Sequence, residues 1–257
     1  MNADPTRPLK DFIHGAQEFY LLLRNSFVGL PYAFRYHRET TRLIFVLGVS
    51  ATPLIFLSAL FIGLVLALEW GTKLEPFGAK ILMGRIMSVG TIREIGPVIT
   101  GLMLAGRTGA MIAAELGSMA VTDQINALRA LGTDPVRKLV VPRVVAGIVM
   151  TPVLTVVANT VGLLGGWVVS TQTLGVASGL YWSSVVDGLF IQDVWMGLLK
   201  PFFLGFIIVT VGCHVGLRTR GGTQGVGRAT TNSVVTASVA VIAMDFFSTQ
   251  LLLSLLF

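Results

Sequence analysis

Long apolar runs broken by short charged stretches set the pattern along this chain. Leu43 to Leu68 holds no ionisable residue, carries Pro53 in its interior, and at about 1.5 Å per residue is long enough to cross about 30 Å of hydrocarbon. A second run, about 86–114, is interrupted by Arg93, Glu94 and Arg107 and contains Pro97, and two later runs cover about 192–217 and 229–256. Residues 115–143 are too charged to cross. From Val144 to Val186 there is no charge at all, which allows one span or two. One span, about 144–170, puts the basic clusters Arg35/Arg38/Arg42, Arg129/Arg137/Lys138/Arg143 and Arg218/Arg220/Arg228 on the same side. Two would place the last cluster outside and Asp187 and Asp193 inside, against the positive-inside rule. The pattern therefore predicts an all-α integral membrane protein with five transmembrane helices, a cytoplasmic N-terminus and an external C-terminus. The stretch around Gly175, Gly179, Tyr181 and Trp182 reads as a short external helical segment.

Two amphipathic stretches lie outside the spans. In residues 1–42, Phe12, Ala16, Phe19, Leu23, Phe27 and Leu30 recur at spacings of three and four, with Lys10, His14, Gln17 and Arg24 between them and Pro31 at the end. The stretch lacks the apolar core and cleavage site of a signal peptide. It reads as an interfacial helix on the membrane or as one packed on another protein, ahead of a single transmembrane unit over 43–257. Between the second and third spans, about 118–131 reads as a short helix with Thr122 as N-cap. Ile125, Leu128 and Leu131 share a face, Asn126 and Arg129 lie off it, and Gly132 and Pro135 stop it. Such a helix docks into a groove on a soluble partner or lies on the lipid surface.

Composition narrows the classes. With 53% hydrophobic and 12% charged residues and a mean hydropathy of +0.78, the chain carries about half the charge of a soluble domain and too much apolar surface for a disordered one. The net charge of +6 sits in short clusters beside apolar runs, which suits membrane topology and not a nucleic-acid groove. One cysteine, Cys213, supports neither a disulfide framework nor a thiolate metal site within the chain, so no metal is expected. His14, His37 and His214 suggest no catalytic triad. The segment Gly222–Ala229 has the glycine spacing of a phosphate loop, but Arg228 replaces the lysine, Ala229 the hydroxyl residue, and no strand precedes it. It reads as a flexible turn, and the chain as a non-enzyme with no cofactor of its own.

Ionisable groups inside spans are costly and are functional candidates by default. Arg93, Glu94, Lys200 and Asp245 fall at comparable depth in three spans, and Pro97 frees the carbonyl of Arg93 and should bend the helix there. They form either an outward polar pocket for a phosphate or carboxylate head group, or a set in which Arg93 and Asp245 satisfy each other. Gly101, Ala105, Gly109, Ala113 and Gly117 make a small-residue stripe, with Gly162/Gly166 and Gly212/Gly216 repeating the device, for packing within one bundle or against a second copy.

The runs Glu94-Ile-Gly-Pro97, Leu104-Ala-Gly-Arg107-Thr-Gly109 and Ala114-Glu115-Leu-Gly117-Ser-Met119 through Asp134-Pro135, with Pro142-Arg143, Val161-Gly162, Gly227-Arg228-Ala229-Thr230-Thr231 and Asp245-Phe246, resemble the MlaE (YrbE) permease family. The resemblance implies a homodimeric permease of the bacterial inner membrane, moving glycerophospholipid to or from a periplasmic MCE-domain protein. ATP and magnesium would be handled by a separate cytoplasmic ATPase, itself bound by a STAS-type protein. It further implies that the helix around 118–131 is the coupling helix, with Glu115, Asp123, Gln124, Leu128, Arg129 and Asp134 as ATPase-coupling residues, and that the external segment is periplasmic. Matched by position, the lipid site falls on Leu66, Leu74, Phe77, Arg93, Glu94 and Ile95, with Lys73 where an apolar residue would be expected. The rival readings are a secondary transporter, which should show an internal repeat that is not seen, and a structural assembly subunit.

Overall fold

The computed structural model describes the backbone of residues 7–256 and the side chains of 13–255, so the expectations for Lys10 and Phe12 lie outside the described side chains. Among the described residues every regular element is helical: α1 (Arg7–Gly29), α2 (His37–Leu74), α3 (Met83–Gly90), α4 (Gly96–Leu104), α5 (Ala110–Val121), α6 (Gln124–Ala130), α7 (Val141–Gln172), α8 (Ser178–Gly188), α9 (Ile191–Leu217) and α10 (Gly222–Leu256). Five helical segments are long and apolar enough to cross a membrane: His37–Phe77, Lys80–Val121, Val136–Gln172, Ile191–Leu217 and Gly222–Leu255. The uncharged stretch after Val144 contains one such segment, and the chain then turns through α8.

The second segment is not one straight α-helix. π-helical turns at Thr91–Ile95 and Ala105–Gly109 join α3, α4 and α5, and a third at Val136–Val140 leads into α7. The sequence signals a bend at Pro97; the structure realises it as a widened turn just upstream, at Thr91–Ile95.

Small residues decide how closely the helices approach. A Cβ on Gly63 would collide with the carbonyl of Gly162, and one on Gly205 with that of Gly147, so α7 meets α2 and α9 backbone to backbone. The stripe in the second span is used inside the bundle. Gly101 faces Leu204 and Val241, the Gly109 carbonyl accepts from Ser233 Oγ at 3.0 Å, and Gly117 faces Thr219.

The face of α1 packed on the rest of the chain is Leu22, Ser26 and Gly29, with Phe19 and Leu23 half-buried, while Ala16 is exposed and Phe27 is 67% exposed. The helix seats there against α7, α9 and the turn before α7, with Gly29 close to Val141. Glu18 of α1 pairs with Arg218 at 3.2 Å. Gly222–Ala229 is the opening of α10 and not a loop; Gly221 and Gly222, at φ +90 and +65, make the turn. Gly225, Ala229, Ser233, Ala237 and Val241 are buried at four-residue spacing, so the packed seam reaches back through the glycines and carries the helix with it.

Tyr181 anchors α8. It is fully buried and its hydroxyl donates to the Leu163 carbonyl at 3.0 Å. Burial pushes the phenol's pKa well above its ordinary value, so it stays a neutral donor.

Candidate functional site

Pro97 has no N–H to give the carbonyl of Arg93, four residues back. Lys200, on α9 and with no solvent exposure, fills that gap by donating from Nζ to the Arg93 carbonyl at 2.9 Å. The same ammonium meets Glu94 Oε2 at 2.5 Å and Asp245 Oδ1 of α10 at 3.5 Å. The two contacts on the second span are hydrogen bonds, and Asp245 on the fifth is an ion pair without one. Thr249 adds a contact to Glu94 Oε2 at 3.4 Å.

Arg93 turns the other way, to Asp193 Oδ1 at 3.5 Å and Glu94 Oε1 at 3.6 Å. Asp193 is 2% exposed, and its other oxygen accepts from the Phe190 N–H at 3.2 Å, closing the first turn of α9. The alternative in which Arg93 and Asp245 pair is therefore corrected: Arg93 pairs with Asp193 and Glu94, Asp245 with Lys200. Asp193 is absent from the candidates read from the sequence, although the span read at about 192–217 starts beside it. The signal was an acid in the first turn of a span, where it caps the helix and stays within reach of a cation.

Arg93 and Asp193 open onto a cavity of about 590 Å³, walled by Arg85, Ile86 and Val89 of the second span and by Phe190 at the start of α9. The other residues matched to a lipid site are not gathered there. Leu66 and Ile95 line a cleft of about 10 Å³ between α2, α4 and α7, Leu74 packs among Ala67 and Met83, and Phe77 is 84% exposed beyond α2. Lys73 pairs with Glu69 at 3.4 Å on the surface.

At the opposite end of the bundle, α5 breaks at Thr122, whose hydroxyl donates to the Ser118 carbonyl at 2.8 Å, so Thr122 ends α5 and does not cap α6. Asp123 takes the left-handed conformation (φ 57) before α6, and its Oδ1 accepts from Asn126 Nδ2 at 2.9 Å. The expected 118–131 helix is thus two elements joined by a sharp turn. Ile125 is buried and Leu128 half-buried, but Leu131 lies past the last turn and is 80% exposed, with Gly132 (φ +73) next. Gln124 and Arg129 are exposed. Asp134 Oδ1 accepts from the Val136 N–H at 2.9 Å, and its carboxylate meets Arg137 at 3.3 Å. Glu115 does not point away from the protein: it holds the buried Arg143 of α7 at 2.7 Å, while Arg143 also donates to the Leu139 carbonyl at 2.6 Å. Among the described residues no group of histidine, cysteine and acidic side chains could hold a metal ion.

The model of the permease MlaE family matches residues 40–251 of the chain, which takes in the broken second span, the α5–α6 turn and all three spans that carry the ion cluster. The chain belongs to the MlaE permease family. The intermembrane phospholipid transport system permease protein MlaE of Haemophilus influenzae is 32% identical over 94% of this chain and 93% of its own length. A probable ABC transporter permease protein of Rickettsia typhi is 38% identical over 82% of each chain. The chloroplastic protein TRIGALACTOSYLDIACYLGLYCEROL 1 of Arabidopsis thaliana is 32% identical over 81% of this chain and 60% of its own. The five apolar helices and this family make the chain a multi-pass membrane permease.

Proposed function

We propose that this permease is the membrane subunit of an ABC transporter that moves glycerophospholipid between a bacterial inner membrane and a periplasmic MCE-domain carrier. The observation that carries the reading is the Lys200 clamp: one buried ammonium of α9 ties the broken second span, at the Arg93 carbonyl and Glu94, to Asp245 of α10 beside an open cavity at one end of the bundle. A ligand is moved only if its affinity differs between two states, and a helix interrupted at Thr91–Ile95 and held by side chains has a second arrangement within reach. The Haemophilus relative, named for intermembrane phospholipid transport, supplies the cargo class.

The basic end of the bundle faces the cytoplasm in this reading, with the N-terminus cytoplasmic, the C-terminus periplasmic and α8 on the periplasmic side. There α6 is the coupling helix. Ile125 roots it in the bundle and it presents Gln124, Arg129 and Leu131 to a cytoplasmic ATPase that binds ATP and magnesium and to which a STAS-type protein attaches. Glu115 and Arg143 would carry its movement into α7. A second copy of the chain completes the lipid site, since Leu66 and Ile95 line a cleft apart from the cavity of Arg93, and Phe77 is exposed. α10 offers Val235, Val239, Ile242 and Phe246, all exposed at spacings of three and four, as the face for it.

Isolation of the tagged permease from its native membrane tests the partnership. A nucleotide-hydrolysing subunit is expected to co-purify, and Leu131→Asp combined with Arg129→Glu should lower its recovery by about tenfold or more, the loss of an apolar and a charged contact in one small interface. Full recovery with the double variant would remove α6 from the interface, and absence of any ATPase from the wild-type preparation would contradict the ABC assignment.

A further inference from the structure

Two cations on the wall of the 590 Å³ cavity differ in how their charge is met. Arg93 lies against Asp193 and Glu94. Arg85 has no ion-pair partner among the described residues, yet the base of its side chain is fixed. The Arg85 N–H donates to Ser184 Oγ of α8 at 3.1 Å, and only a glycine at 188 leaves room for the Arg85 Cβ and Cγ. The two arginines are eight residues apart along the second span, about 12 Å, with Ile86 and Val89 on the wall between them. Arg85 is the outer of the two, nearer the end of the span that opens at Lys80.

We propose that Arg85 is a head-group site: the cavity takes the phosphodiester of an anionic phospholipid at the Arg85 guanidinium, ahead of the Arg93–Glu94–Lys200 cluster, and prefers it to a zwitterionic lipid. The inference deepens the transport reading and rests on it for the lipid. The charge class follows from the cavity. A guanidinium without a carboxylate partner, beside apolar walls, favours a phosphate oxygen. The ammonium of a zwitterionic head group finds no free acid there, because one oxygen of Asp193 faces Arg93 and the other the Phe190 N–H. For the phosphate, Arg93 and Lys200 cannot be the counter-charge, since three carboxylates are already set against these two cations, and Arg85 remains. The Ile86–Val89 wall suits the glycerol and upper acyl chain, which a soluble phosphate lacks.

The test uses the full-length permease in nanodiscs of equal phosphatidylglycerol and phosphatidylcholine, extracted gently and analysed for retained lipid. Wild-type protein is expected to retain phosphatidylglycerol over phosphatidylcholine by about fivefold, the worth of one partly exposed charge contact. Arg85→Gln should bring the ratio close to that of the bilayer, and Arg85→Lys should keep most of the preference. An Arg85→Gln protein with the wild-type ratio overturns the proposal, as does a wild-type ratio equal to that of the bilayer. Displacement of the retained lipid by millimolar glycerol phosphate overturns it in favour of a soluble phosphate ester. A wild-type protein that retains no phospholipid of either kind sinks the transport reading as well, so the two failures are distinguishable.

Discussion

Lys200→Met is expected to abolish lipid transfer and to lower the melting temperature of the purified permease more than any other single substitution in the bundle. Methionine keeps the length of the side chain but removes all three contacts of the ammonium, to the Arg93 carbonyl, Glu94 and Asp245. Breaking a buried ion pair from one side costs on the order of 3–5 kcal/mol, because the partner charge is left without compensation. Here Asp245 and the Arg93 carbonyl lose their partner together, while Glu94 keeps Arg93 and Thr249. Adding Glu94→Gln and Asp245→Asn to Lys200→Met should restore much of the melting temperature, since no buried charge then lacks a partner, and should leave transfer absent. Thermal unfolding in detergent and a vesicle transfer assay separate the two effects. Wild-type transfer by the triple variant would show the cluster to be packing alone.

The second large effect is an asymmetry at the other end of the bundle. Glu115 and Arg143 hold each other at 2.7 Å, but the Arg143 side chain is only 4% exposed and that of Glu115 is 50% exposed. Glu115→Ala strands a buried guanidinium and should cost on the order of 3–5 kcal/mol. Arg143→Met releases a carboxylate that water can reach, removes the bond to the Leu139 carbonyl and should cost only about 1–3 kcal/mol. In transport both variants are expected to be uncoupled, because either one parts α5 from α7 next to α6, and Arg143→Met, the more stable of the two, shows this with assembly kept. Equal melting temperatures for the two variants would contradict the burial difference on which this rests.

The spans were legible because an uncharged run of membrane length has few other uses, and the one ambiguous run, after Val144, was resolved by where the arginines would fall. Pro97 led to the freed carbonyl of Arg93, yet what fills it, Lys200 on α9, depends on how spans more than a hundred residues apart rotate against each other, which periodicity within one helix does not encode. For the same reason the pairing of Arg93 with Asp193 in place of Asp245 was out of reach. Local chemistry misled in two places. Thr122 looked like a cap but bonds backward to Ser118, and the segment from Gly222 to Ala229 looked like a turn throughout but opens α10, with Gly225 and Ala229 on a buried seam. Arg85 drew no notice in the sequence, since a basic residue near the end of a span is ordinary; only the cavity beside it sets it apart.

Reconstitution tests whether this permease moves phospholipid under the drive of a partner ATPase. The complex isolated from the native membrane is placed in vesicles containing a fluorescent phospholipid, and transfer of the label to an acceptor is followed on adding ATP and magnesium. Transfer that needs hydrolysable ATP and disappears in Lys200→Met is the predicted result. ATP hydrolysis with no lipid transfer to any acceptor, periplasmic MCE-domain protein included, would contradict the account.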